Sequence, residues 1–224
     1  MKILEINLQT RVLDELVGFY GGLLGMDTST DKSRLSIKSG HSTLSFDEVS
    51  SEKNPFYHFA FNIPENQLDN AIDWLNDKVD LIPLKGETIF DFKAWDAHSI
   101  YFYDPAGNIV EFIARHRLKN SSTKPFTGKS ILSISEMGMP VKKVKPFFQK
   151  LYDDLSLPLF TGDLKTFTAA GDDEGLLIIV PEERKWFPDC PRAEIFPIDI
   201  TLSGTVDREI RFEEYEYTIR TIAN

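Results

Sequence analysis

The sequence predicts an α+β fold in which a strand–helix–three-strand unit is repeated along the chain. Apolar and polar residues alternate over residues 3–9, which is the period of a strand. Residues 14–24 then carry apolar side chains at helical spacing, and Gly25 follows at the position where a glycine ends a helix. The same order begins again at residue 57, and an internal repeat of this length is typical of a modular fold.

Each repeat can be followed element by element. In the first unit, further strands are predicted at 34–38 and 42–47, so this unit has one strand fewer than the second. The second unit has a strand at 57–63 and a helix at 65–75. Its remaining strands are predicted at 85–92, 99–103 and 109–115, and the last two are joined by the tight turn 104–108, with sequence Asp-Pro-Ala-Gly-Asn.

A third copy follows a polar, turn-rich segment at 117–128, which we interpret as a linker. Its elements are a strand within 130–141, a helix at 144–155, and strands at 166–170 and 176–181. Aligning Ile131 with Ile3 superposes the helices without a gap. Residues 197–203 and 209–222 predict strands without a helix, so a fourth copy is degenerate. The predicted organisation is therefore a domain at 1–116, the linker, and a divergent second domain at 129–224.

Composition excludes several classes of function. The chain has 224 residues, a formal net charge of −10 and a pI near 4.9, which argues against extensive contact with nucleic acid. The single cysteine, Cys190, cannot form an internal disulfide or an all-thiolate metal site. The first residues do not have the pattern of a signal peptide, and no apolar run is long enough for a transmembrane helix. These features predict a cytoplasmic protein that has neither nucleic-acid nor membrane partners.

Three local motifs resemble one known superfamily. They are the pair Phe19-Tyr20 followed by Leu24-Gly25, the strand at 57–61 (Tyr-His-Phe-Ala-Phe), and the stretch at 101–112 (Tyr-Phe-Tyr-Asp-Pro-Ala-Gly-Asn-Ile-Val-Glu-Phe). Residues 1–116 thereby resemble the vicinal-oxygen-chelate superfamily, which includes glyoxalase I, fosfomycin-resistance thiol transferases, bleomycin-binding proteins and extradiol dioxygenases. The resemblance implies paired βαβββ modules that form a U-shaped mixed sheet, with the second pair degenerate.

The resemblance also implies a divalent-metal site. In the superfamily, the ligands come from the first and last strands of the modules, and these positions correspond here to Glu5, His58 and Glu111. Ser45 occupies the fourth ligand position, so only three protein ligands are expected, which leaves coordination positions open for substrate. One imidazole and two carboxylates suit Mn, Fe, Zn or Ni.

Each of these residues also has a structural interpretation. His58 could be a hydrogen-bonded strand histidine, and Glu5 could face solvent. Glu111 interrupts an otherwise apolar strand at 109–114, where an unpaired carboxylate is costly, and we therefore take it as the candidate catalytic residue. Without Glu5, two protein ligands would make a poor metal site. Asn7, Trp95, His98, Tyr101 and Tyr103 are expected to line the substrate cavity.

The sequence leaves two principal functions open. The first is a metal-dependent lyase, isomerase or thiol transferase that acts on a small oxygenated substrate, as a monomer or homodimer. The second is a metal-free drug-binding protein of the bleomycin-resistance type, and a purely structural second half is a third interpretation. The extradiol dioxygenase reaction is disfavoured, because residues 121–224 contain no histidine and Ser133 aligns with Glu5 in the third copy.

Overall fold

The computed structural model describes residues 1–50 and 52–223, and these form four modules in chain order. Module one contains β1 (Ile3–Thr10), α1 (Leu13–Val17), a π-helical segment (Gly18–Leu23), β2 (Asp27–Asp31), β3 (Arg34–Ser39) and β4 (Ser42–Glu48). Module two contains β5 (His58–Ile63), α2 (Leu68–Leu75), β6 (Phe90–Phe92), a 3-10 turn (Lys93–Trp95), β7 (Ala97–Tyr103) and β8 (Ile109–Arg115).

The second half repeats this order with losses. Two 3-10 turns, His116–Leu118 and Gly128–Ser130, flank the linker. Module three contains β9 (Ser133–Val141), α3 (Val144–Leu155), β10 (Leu159–Gly162), β11 (Thr168–Asp172) and β12 (Gly175–Pro181). Module four, as far as residue 223, contains only β13 (Ile198–Gly204), β14 (Arg208–Phe212) and β15 (Tyr217–Ala223). The predicted repeat and its degenerate fourth copy are thus confirmed.

Two edge strands were absent from the sequence prediction. β2 and β10 lie at the ends of their sheets, and most of their side chains are exposed or half-buried. An alternating pattern arises only when one face of a strand is buried, so a strand that is accessible on both faces lacks it. None of the helices among the described residues is long and apolar enough to cross a bilayer.

Each sheet combines modules from both halves of the chain. The seven-stranded sheet has the order β14-β15-β13-β1-β4-β3-β2, and the eight-stranded sheet has the order β10-β11-β12-β9-β5-β8-β7-β6. β1 pairs antiparallel with β13, and β5 pairs antiparallel with β9. Module one is therefore joined to module four, and module two to module three.

This pairing corrects the expectation that modules one and two form one pair and modules three and four another. Periodicity shows that a strand has a buried face but does not specify its neighbour, so sequential modules were assumed to pair. The predicted boundary at 117–128 stays a prediction, although that segment packs closely. The Phe126 ring lies 5.4 Å from Trp74, and the Gln67 amide donates to the Lys124 carbonyl.

The strands that carry the main core have strict alternation. Phe59, Phe61 and Ile63 of β5 point into one large apolar cluster, which also contains Val110 and Phe112 of β8. The intervening residues of both strands point to the opposite face of the eight-stranded sheet. That second face has a smaller, mainly aromatic cluster of its own. Polar residues on these buried strands are consequently directed away from the main core and toward this second face.

We expect Phe112→Ala to lower the free energy of unfolding by about 3–5 kcal/mol, because it leaves a cavity in the main core. The Phe112 side chain is fully buried, and its ring centroid lies 5.1 Å from that of Phe102. Urea denaturation followed by circular dichroism measures the change. Leu159→Ala, at a side chain that is 45% exposed, is the matched control and should change stability by less than about 1 kcal/mol. Equal losses in the two variants would contradict this assignment of the core.

Candidate metal centre

Three buried acceptor side chains converge on the second face of the eight-stranded sheet. They are His58 at the start of β5, Glu111 in β8 and Glu136 in β9, and one ligand atom from each lies within 4.8 Å of the others. Strand register explains the meeting: Ala60 of β5 pairs with Glu111 on one side and with Glu136 on the other. The two carboxylates therefore flank a small side chain, and His58 stands two residues before it on the same face.

The hydrogen bond that His58 makes determines its tautomer. Its Nδ1 lies 3.1 Å from the Ile109 carbonyl oxygen, which can only accept, so Nδ1 carries the proton. The unprotonated Nε2 then faces Glu111, with 3.6 Å between Nε2 and Oε2. Burial lowers the pKa of His58 to about 4, opposed by the Ile109 hydrogen bond and reinforced by the charge of Arg184. At neutral pH the imidazole is therefore an uncharged donor of one lone pair.

Both carboxylates are held in an environment that resists their charge. Burial is the largest cause that raises the pKa of Glu111, and the adjacent charge of Glu136 raises it further. Burial also raises the pKa of Glu136, while Arg115 opposes this shift. The fully buried Arg115 donates through Nη2 to Glu136 and through Nε to the Ser135 hydroxyl at 3.0 Å. One of the two carboxylates thus has a cationic partner within the chain.

This donor set fits a divalent metal ion. Two carboxylates and one neutral imidazole nitrogen, all buried and directed at a common point, are the ligands that Mn²⁺, Fe²⁺, Zn²⁺ or Ni²⁺ accept. The Ile109 carbonyl orients His58 and Arg115 orients Glu136, and such outer contacts commonly support metal ligands. His58, Glu111 and Glu136 could therefore hold a divalent cation, whose identity the donor set leaves open.

Glu5 does not join this group. It lies on β1 in the seven-stranded sheet, where it pairs with Thr43 on one side and Thr201 on the other. Asn7 lies on the same strand, opposite Asp199, and is likewise absent from the cavity around His58. Both residues were expected in the cavity because modules one and two were assumed to share a sheet. In the structure these modules lie in different sheets. The predicted set Glu5, His58 and Glu111 is corrected here to His58, Glu111 and Glu136.

Glu136 is nevertheless the counterpart of Glu5 in module three. Glu5 pairs with Thr201 next to a register shift in β1, and Glu136 pairs with Ala60 next to an equivalent shift. The ungapped alignment placed Ser133 there, because it did not allow for the three-residue difference between the modules. A signal was present: Glu136 is the sole charged residue of β9, whose sequence is Ser-Ile-Ser-Glu-Met-Gly-Met-Pro-Val.

The remaining predicted cavity residues divide into two groups. Tyr101 pairs directly with Glu111, and Tyr101 and Trp95 both line the cavity. His98 alternates with Tyr101 along β7 and is directed away from the site, with its Nδ1 2.9 Å from Nε2 of His116. Tyr103 shares the face of Tyr101 but lies at the end of the strand and is 40% exposed. His98 and Tyr103 therefore do not line the cavity.

A hairpin-like segment between β12 and β13 completes the cavity, which has a volume of about 360 Å³. Residues 183–193 are held by backbone hydrogen bonds from Glu183 to Ala193 and from Ala193 to Arg184. The segment brings Trp186 against His58, with 5.0 Å between ring centroids. Gly138 provides the space, since a Cβ atom there would lie 2.7 Å from the indole. No motif in the sequence indicates that this segment belongs to a site.

Comparison with known proteins identifies the fold. No protein-family model and no curated protein sequence matches the chain. Among solved structures, a Bacillus subtilis subsp. subtilis str. 168 protein provisionally named a dioxygenase matches with 12% identity and a TM-score of 0.67, covering 99% of this chain and 85% of that one. A glyoxalase I variant from Zea mays matches with 10% identity and a TM-score of 0.59, covering 99% and 93%.

The chain has the glyoxalase/dioxygenase fold. Both matches extend over almost the whole chain, so the fold class expected from the sequence, and the resemblance to the vicinal-oxygen-chelate superfamily at the level of fold, are confirmed. At these identities the similarity establishes the glyoxalase/dioxygenase fold alone.

We expect Arg115→Met to lower the free energy of unfolding by about 3–5 kcal/mol, because it leaves Glu136 buried without its cation. Chemical denaturation in the presence of a chelator measures this without a contribution from bound metal. The double variant with Glu136→Gln should lose less stability than the two single variants combined, since it no longer contains the unpaired charge. Strictly additive losses would show that the two side chains are not coupled.

Proposed function

We propose that this protein is a divalent-metal-dependent enzyme of the vicinal-oxygen-chelate superfamily that acts on a small oxygenated substrate. The observation that carries the proposal is the convergence of His58, Glu111 and Glu136 within 4.8 Å in a buried cavity. Arg115 offsets the charge of Glu136, whereas a buried, charged Glu111 beside it is unfavourable unless a further cation or a proton accompanies it. A bound divalent ion would polarise vicinal substrate oxygens and stabilise negative charge that develops on them.

The chain's own residues have distinct roles in this proposal. The Ile109 carbonyl keeps the lone pair of His58 on Nε2, and Arg115 holds Glu136 in place. Glu111 is our candidate for the group that transfers a proton, because its carboxylate lies beside Tyr101 and lines the cavity in which the substrate would bind. The aromatic walls exclude water from that transfer.

The donor set favours a lyase, isomerase or transferase over an oxygenase. Non-haem iron oxygenases typically use two imidazoles and one carboxylate, whereas this site offers one imidazole and two carboxylates. The absence of histidine from residues 121–224 does not by itself disfavour a dioxygenase reaction. The site takes its histidine from module two and only a carboxylate from module three. The aromatic walls would also suit a metal-free binding protein. Such a function does not account for the convergence of His58, Glu111 and Glu136.

Calorimetric titration of the chelator-treated protein with Mn²⁺, Zn²⁺ and Ni²⁺ tests the metal site. We expect at least one ion to bind at one per chain, and His58→Ala, Glu111→Gln and Glu136→Gln each to weaken binding by about tenfold or more. Glu5→Gln is the matched control, because Glu5 has the equivalent position in the other sheet and should not affect binding. An absence of binding in the wild type, or equal weakening in Glu5→Gln, would contradict the proposal.

A second experiment tests whether the metal retains open positions. Three protein ligands leave room for two further oxygen atoms from a ligand. Acetohydroxamate, which chelates through two adjacent oxygens, should therefore bind the metal-loaded protein and show no measurable binding to the metal-free protein. Equal binding to both forms would mean that the ligand does not contact a metal ion.

A further inference from the structure

Arg184 is a cation in the cavity wall that has no acidic partner. Its guanidinium lies over the Phe167 ring, 5.4 Å from the centroid, and lines the same cavity as His58 and Glu111. Its neighbours on the hairpin segment are paired, Lys185 with Asp189 at 2.8 Å and Arg192 with Glu183 at 4.0 Å. Within residues 1–50 and 52–223, Arg184 forms no ion pair of this kind.

The negative charge of Asp163 acts on Arg184 electrostatically, but the Asp163 carboxylate is hydrogen-bonded to other groups. Its Oδ1 accepts from the backbone amides of Lys165, Thr166 and Phe167, and its Oδ2 accepts from the Thr166 hydroxyl. These bonds stabilise the turn between β10 and β11 and keep the carboxylate at the surface. A half-buried guanidinium without a partner is unfavourable in the free protein, and it is typical of a position where an anion is bound.

The other charges in the cavity make Arg184 a surplus cation. Arg115 is committed to Glu136, and the two positive charges of a divalent ion would exceed the single remaining carboxylate charge of Glu111. In the metal-loaded site proposed above, an anionic substrate group is therefore needed for Arg184, in addition to the oxygens that would bind the metal.

The other residues that line the cavity indicate the shape and polarity of the rest of the substrate. Trp95 and Phe167 line the cavity with 6.2 Å between ring centroids, and Trp186 and Phe187 of the hairpin segment line it as well. Arg115 already lies against one indole, 5.4 Å from the Trp95 centroid, which restrains that ring. These four aromatic rings give the cavity flat apolar surfaces, which suit an aromatic or otherwise planar apolar group. The cavity, at about 360 Å³, admits only a small molecule.

We propose that the substrate is a small amphiphilic anion, in which Arg184 binds a carboxylate or similar planar anionic group and the aromatic walls hold an apolar ring. This inference rests on the proposed metal-dependent function and specifies its substrate class. Arg184 is a specificity-determining residue here, because its fork of N–H donors matches a carboxylate in a bidentate arrangement. A neutral analogue of the same shape would leave the guanidinium unpaired and should bind more weakly.

Phenylacetate, phenylacetamide and acetate are suitable probes, since they separate the anion from the ring. In calorimetric titrations of both metal-loaded and metal-free protein, we expect phenylacetate to bind about tenfold or more tightly than either of the other two. Arg184→Gln should abolish the preference for the acid over the amide, and Arg184→Lys should retain part of it. Arg192→Gln, at an ion-paired arginine on the same segment, should leave all affinities unchanged.

The outcomes separate this proposal from the metal proposal. Equal binding of acid and amide, or full phenylacetate affinity in Arg184→Gln, overturns the substrate class even if the metal titrates as expected. A wild-type protein that binds no metal but shows the Arg184-dependent preference supports anion recognition while the metal proposal fails. Thermal midpoints of the Arg184 variants, expected within a few degrees of the wild type, show that the loss is not one of folding.

Discussion

The antiparallel pairing of β5 with β9 is the constraint on which the site depends. It places Glu136 of module three across from Ala60, whose other neighbour, on β8, is Glu111 of module two. Glu111 and Glu136 belong to different modules, and only this strand pairing brings their side chains together. Two buried carboxylates side by side are unfavourable on their own. Within the site, the Arg115 guanidinium offsets one of these charges by donating to Glu136.

The seven-stranded sheet has the same arrangement of modules but has different side chains at the positions equivalent to His58, Glu111 and Glu136. Following the strand registers, Glu5 stands at the position of Glu136, Asp199 at that of His58, and Arg220 at that of Glu111. A permanent cation thus stands in place of a carboxylate, and Arg220 pairs with Glu209 at 2.6 Å. Arg220 and Glu209 thus form an ion pair on this face, whereas the other sheet has the convergent group His58, Glu111 and Glu136. The two halves of the fold have diverged in their polar faces while keeping their strand order.

The second contribution to the site comes from a segment without regular secondary structure. Trp186 and Arg184 are two residues apart on the hairpin segment between β12 and β13, and they add an aromatic surface and a cation to a cavity whose floor is otherwise formed by strands. The missing side chain of Gly138 allows the indole to reach His58. Within the glyoxalase/dioxygenase fold, the sheets therefore supply the acceptors, and this segment supplies the cation and the aromatic surface for which we propose a role in ligand recognition.

The sequence by itself determined the repeated modules, the class of fold and two of the three acceptors. Alternation along β5 and β8 identifies buried strands, and a lone carboxylate or imidazole within them is unusual enough to be recognised, as His58 and Glu111 were. The same reasoning applied to β9 would have identified Glu136 as a buried charge, though not its partners. The tertiary structure alone decided that module two pairs with module three, which replaces Glu5 with Glu136 and brings Arg184 and Trp186 into the cavity. The alternation of apolar and polar residues shows which face of a strand is buried. The choice of neighbouring strand depends instead on contacts between residues far apart in the chain, and no single segment encodes it.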